Sequence, residues 1–263
     1  MITRVIGLSN SKGGVGKTTS ATTLAHGLAL RGHQVLLVDL DVQGNCAPAL
    51  GVTFELTTYD LLVDRRPWRE CVIEARENLW LLPSDSSMVE VKDRIIAQAA
   101  VGAVASMTRG RRAQVDDPTT VLARAMQEVT GFDYILLDCA PGVDIMSANA
   151  LMYCQEVIMP VSLDYLATVG AGQHVQAIVD AQTQGSEVFV SCVLPTFVEA
   201  RTRKARLILG QLREHFGDVV AEPIPKSVKV AEAPSYGLTL WEYDGKGKAA
   251  LAYQKLVERV VNA

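Results

Sequence analysis

Lys12-Gly13-Gly14-Val15-Gly16-Lys17-Thr18-Thr19 has the residue types and spacing that wrap a chain of phosphates. Glycines let backbone N–H groups turn inward around phosphate oxygens. A helix N-terminus behind them adds its positive dipole. Lys17 is placed to neutralise β- and γ-phosphates, and the Thr18 hydroxyl to hold Mg²⁺. Ser11 stands where the general P-loop pattern has its first glycine, so the loop is a variant. A second lysine, Lys12, lies where the chain enters it.

Two further segments deliver carboxylates. Val35–Val38 runs into Asp39 and Asp41, which alternation projects to one side. Such a pair serves equally as a turn and cap signal. Tyr134-Ile135-Leu136-Leu137-Asp138 places one carboxylate after four strand-forming residues, where it can bind Mg²⁺ through water. By itself that pattern is weak, since many core strands end in Asp. Basic residues gather elsewhere. Arg201, Arg203, Lys204 and Arg206 crowd the start of one helical pattern, and Lys226 and Lys229 follow. They form either a phosphate-binding patch or a solvated face balanced by Glu199 and Glu214.

The elements that must position these groups alternate along the chain. Strands are expected at Val5–Ser9, Gln34–Val38, Leu79–Leu82, Tyr134–Leu137, Val157–Pro160, Val188–Leu194 and Val219–Ile224. Helical patterns cover Thr18–Leu30, Ala167–Gln182 and Thr202–Phe216. Several strands are apolar at nearly every position, the mark of strands covered on both faces. Strand, helix, strand in succession predicts an α/β fold, doubly wound around a mostly parallel sheet. Strand C-termini then line the ligand crevice. The 263 residues are read as a single domain, 1–263, with a variable helical and loop segment at about 97–118. That segment holds Arg109-Gly110-Arg111-Arg112 and Asp116-Asp117-Pro118, the end of a helix, an exposed loop and the cap of the next helix.

Hydrophobic residues make up 49% and net charge is −4, which excludes a globally basic nucleic-acid binder but not a local patch. No apolar run reaches the roughly 18 residues of a membrane span, and the N-terminus lacks a secretory pattern. The chain reads as cytoplasmic. Its five cysteines, Cys46, Cys71, Cys139, Cys154 and Cys192, form no CxxC pair and read as buried free thiols.

KGGVGKTT, with Lys12 as well as Lys17, resembles the deviant Walker A signature of ParA, MinD and the nitrogenase iron protein. VDLDVQGN, the Walker B strand, and Ile224–Gly237 make the chain most similar to the ParA family of DNA-partitioning ATPases. The resemblance covers nearly the whole chain, densest at 5–51, 132–172 and 191–253, and poorest at about 85–130. Val42 and Ala140 stand where the family usually has prolines.

The resemblance implies several roles. ATP and Mg²⁺ are the cofactors, and the chain hydrolyses ATP slowly, with a ParB-like adaptor stimulating turnover. Gly13, Gly14, Val15, Gly16, Lys17, Thr18 and Thr19 hold the phosphates, while Pro225, Lys226 and Val228 belong to the segment that closes over adenine. Thr18, Asp39 and Asp138 serve the metal, and Asp41 positions the attacking water. Lys12 faces outward and reaches the nucleotide of a second subunit in a twofold sandwich dimer. Nonspecific DNA is bound by the dimer, with Arg201 and Lys229 the strongest matches to DNA-contacting positions and Arg203 and Lys226 beside them. The implied location is cytoplasmic and nucleoid-associated.

Three rival readings compete with this one. A MinD-like membrane switch needs a terminal amphipathic helix with a basic face, whereas Leu256–Ala263 carries little positive charge and reads as a last core helix. An iron–sulfur carrier needs a second ligand to accompany Cys139, and none is found, so no cluster is expected. A scaffold that binds ATP without turnover is disfavoured by the intact Lys17, Thr18, Asp41 and Asp138.

Overall fold

The computed structural model describes residues 2–109, 117–163, 167–199 and 201–263. Seven strands form one sheet: β1 Arg4–Leu8, β2 Val35–Asp39, β3 Ile73–Arg76, β4 Leu79–Leu82, β5 Tyr134–Asp138, β6 Glu156–Ser162 and β7 Phe189–Thr196. Their order is β3-β4-β2-β5-β1-β6-β7, and every pairing is parallel except β3 with β4. The helices are α1 Lys17–Ala29, α2 Cys46–Leu50, α3 Thr58–Leu62, α4 Trp68–Cys71, α5 Met88–Arg109, α6 Val121–Ala125, α7 Ile145–Tyr153, α8 Ala167–Thr183, α9 Arg203–Phe216, α10 Val228–Glu232, α11 Leu240–Asp244 and α12 Lys248–Val261.

The unbroken apolar runs follow from two cores, one on each face of the sheet. In β2, Leu36 and Val38 join a core with α5, α7 and α9, while Val35 and Leu37 join another with α1 and α12. Each of these four side chains is fully buried, which stabilises the fold by about 1.5–3 kcal/mol apiece. The last helix, α12, turns Tyr253, Leu256, Val257 and Val260 into the second core. It is a core helix, as the sequence implied. No described helix is long and apolar enough to cross a membrane.

Two strand expectations need correction. Val219–Ile224 is not a strand: Val220 within it makes an isolated bridge with Val193, and Pro225 just after it makes another with Val198. Pro223 and Pro225 remove the N–H donors a ladder needs. The short antiparallel β3, with Glu74 and Arg76 in its pattern, carries no apolar run to reveal it. Ala97–Arg109 continues α5, residues 110–116 lie outside the described residues, and the Asp117 side chain accepts from Thr119 N at the start of the next turn. All five cysteines are free and buried.

Candidate functional site

Parallel pairing brings the carboxylates together. Asp138 ends β5 in register with Leu8 of β1 on one side and Asp39 of β2 on the other. The phosphate-type loop leaves β1 and enters α1 at Gly16, whose φ of 86° is open to glycine at little strain. Three neighbours pin this loop: Thr196 Oγ1 donates to Val15 O (2.8 Å), Gly142 N to Ser11 O (2.8 Å) and Asn10 Nδ2 to Pro160 O (2.7 Å). The loop is thereby anchored to β6, to β7 and to the segment after β5.

Lys17 is buried, and its Nζ donates to the carbonyl of Lys12 at 3.0 Å. Burial pushes its pKa down, opposed chiefly by Asp138 and also by Asp41. The ammonium therefore closes the loop it rises from and aims into the loop's interior. Lys12 is half-buried rather than wholly exposed, and its backbone N–H is held by Asn10 Oδ1 at 3.0 Å.

The two β2 carboxylates differ. Asp39 is fully buried, and each of its oxygens accepts a backbone N–H: Oδ1 from Asp41 and Oδ2 from Cys46, both at 3.0 Å. Asp41 lies beyond the strand end, and its Oδ1 accepts from Gln43 N at 3.0 Å. The turn-and-cap chemistry of this pair is thus real, and it holds both carboxylates in place beside the loop. Val42, the departure from the family's proline, packs against the first core.

Asp138 is 1% exposed. The Cys46 thiol donates to its Oδ2 at 3.4 Å, and its Oδ1 has no hydrogen-bond partner. Burial, then the charge of Asp39, raises its pKa, while the Thr18 hydroxyl beside it and Lys17 favour the charged form. Burial likewise raises Asp39. Two buried carboxylates side by side are stable as anions only with a cation between them. The orphaned Asp138 oxygen and the hydroxyl of Thr18 are hard oxygen donors of the type Mg²⁺ takes. The residues present fit that ion.

Sequence reasoning did not find Phe197. It directly follows β7 at φ 55°, a conformation costing a bulky residue about 1–3 kcal/mol. This places its ring over Gly16, where an added Cβ would lie 3.1 Å from the ring. The next residue, Val198, exchanges backbone hydrogen bonds with the 224–226 segment: Val198 N to Ile224 O (3.0 Å) and Lys226 N to Val198 O (3.2 Å). These bonds tie the 224–226 segment to the residue next to Phe197, whose ring lies over Gly16 of the loop. An aromatic immediately after a buried strand was the available signal.

The basic residues are only partly assembled. Arg201 and Arg203 are exposed. Lys226 pairs with Glu199 at 2.7 Å, and Lys229 pairs with Glu232 at 3.6 Å and lies over the Tyr243 ring. The Glu199 pair sets Lys226 beside the Arg201 segment, but it also offsets the charge there.

Comparison with known proteins accords with this geometry. A family model described as an AAA domain matches residues 3–189. The chain is 34% identical to the chromosome-partitioning ATPase Soj of Thermus thermophilus, covering 98% of this chain and 95% of that one. It is 32% identical to the sporulation initiation inhibitor protein Soj of Bacillus subtilis, covering 98% of each. Among solved structures, cobyrinic acid a,c-diamide synthase of Mycobacterium smegmatis, bound to an ATP analogue and magnesium, aligns with a TM-score of 0.81 at 25% identity, over 99% and 95% of the two chains. The septum site-determining protein MinD of Pyrococcus horikoshii shares the fold, with a TM-score of 0.77 at 21% identity over 98% of this chain and 96% of that one. Variant loop, paired carboxylates and full-length similarity together place the chain in the Soj/ParA family of P-loop partitioning ATPases.

Proposed function

We propose that residues 1–263 act as one ATP-driven partitioning switch whose ATP-bound twofold dimer holds nonspecific DNA and lets go of it after hydrolysis. The observation that carries this reading is the convergence of Lys17, Thr18 and the unpartnered Asp138 oxygen on one buried crevice. Lys17 leaves the Lys12 carbonyl to meet the β- and γ-phosphates, while Gly13–Gly16 and the start of α1 supply inward N–H groups. Thr18 and Asp138, with Asp39 behind them, hold Mg²⁺, which when bound neutralises the charge on the transferring phosphoryl group. Asp41 orients water beyond the γ-phosphate, and positioning is most of what a protein contributes to this chemistry.

Lys12 of each subunit reaches across the dimer to the other's nucleotide. Phe197 and the 225–228 segment flank the base. Arg201 and Arg203, with Lys226 and Lys229, meet DNA phosphates on the face that dimerisation makes continuous. A ParB-like adaptor speeds a slow basal turnover, and the protein works in the cytoplasm on the nucleoid.

Asp41→Ala tests the cycle. Mg²⁺·ATP binding should survive, because Lys17, Thr18 and Asp138 remain, while hydrolysis falls. Protein preloaded on DNA with ATP and then washed should persist there longer than the parent. Equal dissociation rates would show that hydrolysis does not control release.

A further inference from the structure

A groove of about 710 Å³ lies between α3, α5 and α6, and no residue of the phosphate-type loop lines it. Helical spacing explains what it is made of. Val91, Arg94, Ile95 and Gln98 recur at i, i+3, i+4 and i+7 along α5, so one face of that helix fronts the groove. Val121, Arg124 and Ala125 repeat the pattern on α6. Val91 and Ile95 are buried, and with Leu61 of α3 they make an apolar floor. Arg65 and Arg66, from the turn after α3, join Arg94 and Arg124 around that floor. Four guanidinium groups from three segments therefore line the groove, against one lining carboxylate, Glu128. On a chain of net charge −4 this is a local reversal. Trp68 also lines the groove, and its buried indole N–H has no hydrogen-bond partner among the described residues.

We propose that this groove is a docking surface for an acidic amphipathic segment of a partner protein. The segment's apolar side chains cover the floor, and its carboxylates meet the arginines, whose planar forks match a carboxylate. Carboxylates are what these guanidinium groups already take: Arg94 pairs with Glu90 at 2.7 Å and Arg66 with Glu70 at 3.6 Å. Both pairs are about half exposed, so each holds its arginine weakly, and a guanidinium has five N–H donors to share. Glu70, Glu90 and Glu128 meanwhile set the groove against a uniform polyanion. Duplex DNA and anionic membranes present phosphates at every step and leave the apolar floor unused. A segment with a few carboxylates on one side and apolar groups on the other suits both features. The surface stands whether or not the partitioning reading is correct.

The test uses the full chain and a fluorescein-labelled synthetic peptide with leucines at i, i+3, i+4 and i+7 and glutamates on its other face. Fluorescence anisotropy should show saturable binding that weakens as salt rises. The same peptide with lysine for glutamate, and another with serine for leucine, should each bind the parent about tenfold more weakly or worse. These comparisons need no variant to fold. Arg94→Glu with Arg124→Glu, both at exposed positions, should weaken the acidic peptide by about tenfold. Arg213→Glu, an exposed reversal on α9, should leave it unchanged. Equal binding of the acidic and lysine peptides, or acidic-peptide binding that survives the double reversal, overturns the proposal. So does a parent that ignores the acidic peptide while the double reversal lowers its affinity for duplex DNA or anionic vesicles, which would make the groove a phosphate surface.

Discussion

Replacing His174 with leucine should remove an acid sensitivity that the parent carries in its core. His174 lies on α8, is 1% exposed, and neither ring nitrogen has a hydrogen-bond partner. Burial, reinforced by the positive charge of Lys17, lowers its pKa from 6.5 to about 4. A base with a depressed folded pKa is protonated more readily in the unfolded chain. Its contribution to stability is therefore fully present above pH 6.5 and is lost as pH falls, the loss ending only below about pH 4. Each unit of pH in that window is worth about 1.4 kcal/mol. Going from pH 7 to about pH 5 crosses roughly one and a half units below the unfolded value, so the parent should lose about 2 kcal/mol through this residue alone.

The assay is reversible urea unfolding of parent and His174→Leu, without nucleotide, at both pH values. His26, also lowered by burial, changes stability in the same direction, whereas Asp39 and Asp138, both raised, act in the opposite one. All three are common to the two proteins and cancel in the double difference. Any gain at pH 7 from removing two orphaned nitrogens cancels as well. If parent and variant lose the same stability on acidification, within about 0.5 kcal/mol, then His174 is not the buried, unpartnered base the geometry describes.

Lys17→Ala removes the ammonium that closes the loop, and a charge-assisted bond of about 1.5–3 kcal/mol predicts ATP binding weaker by roughly 10- to 150-fold in calorimetry; unchanged affinity would mean the phosphates bind elsewhere. Lys12→Ala leaves the backbone carbonyl that receives Lys17 in place, so ATP should still bind while ATP-dependent dimerisation, read by light scattering, is lost. Arg201→Glu with Lys229→Glu should abolish DNA binding, and each phosphate contact removed should flatten the salt slope by about one unit. Lys226→Glu should do less than Arg201→Glu, because Glu199 already offsets Lys226.

The sheet was legible because both its faces are buried. Six of its seven strands announce themselves as apolar runs, and three of those runs end in the loop or in a carboxylate. What stayed hidden depended on contacts between distant segments. Nothing local marks β3, whose alternating charges belong to an edge. Cys46 reads as one more small buried residue until β5 brings Asp138 to its sulfur. Phe197 follows a buried strand, but its part in the site shows in its backbone angle and the glycine beneath its ring. Val219–Ile224 misled because its residues suit a strand, while the prolines within and after it deny the ladder its donors.

One long-range contact links the two ends of the crevice. Gly51, at the end of α2, has φ 66°, and a Cβ there would sit 2.7 Å from the carbonyl oxygen of Gly237; a Cβ on Gly237 would sit 2.7 Å from the Gly51 Cα. Only backbone fits between the turn that carries Asp39 and Asp41 and the segment that follows Pro225–Val228. Arg76 ties the same junction, donating to Leu50 O at 3.0 Å and to Gly237 O at 3.1 Å while pairing with Glu242. Glu242 in turn accepts from Thr239 N at 2.8 Å at the start of α11. A guanidinium fixed at three points cannot follow one segment without the other. Any displacement of the α2 end must therefore carry the C-terminal segment with it, or break the Arg76 bonds.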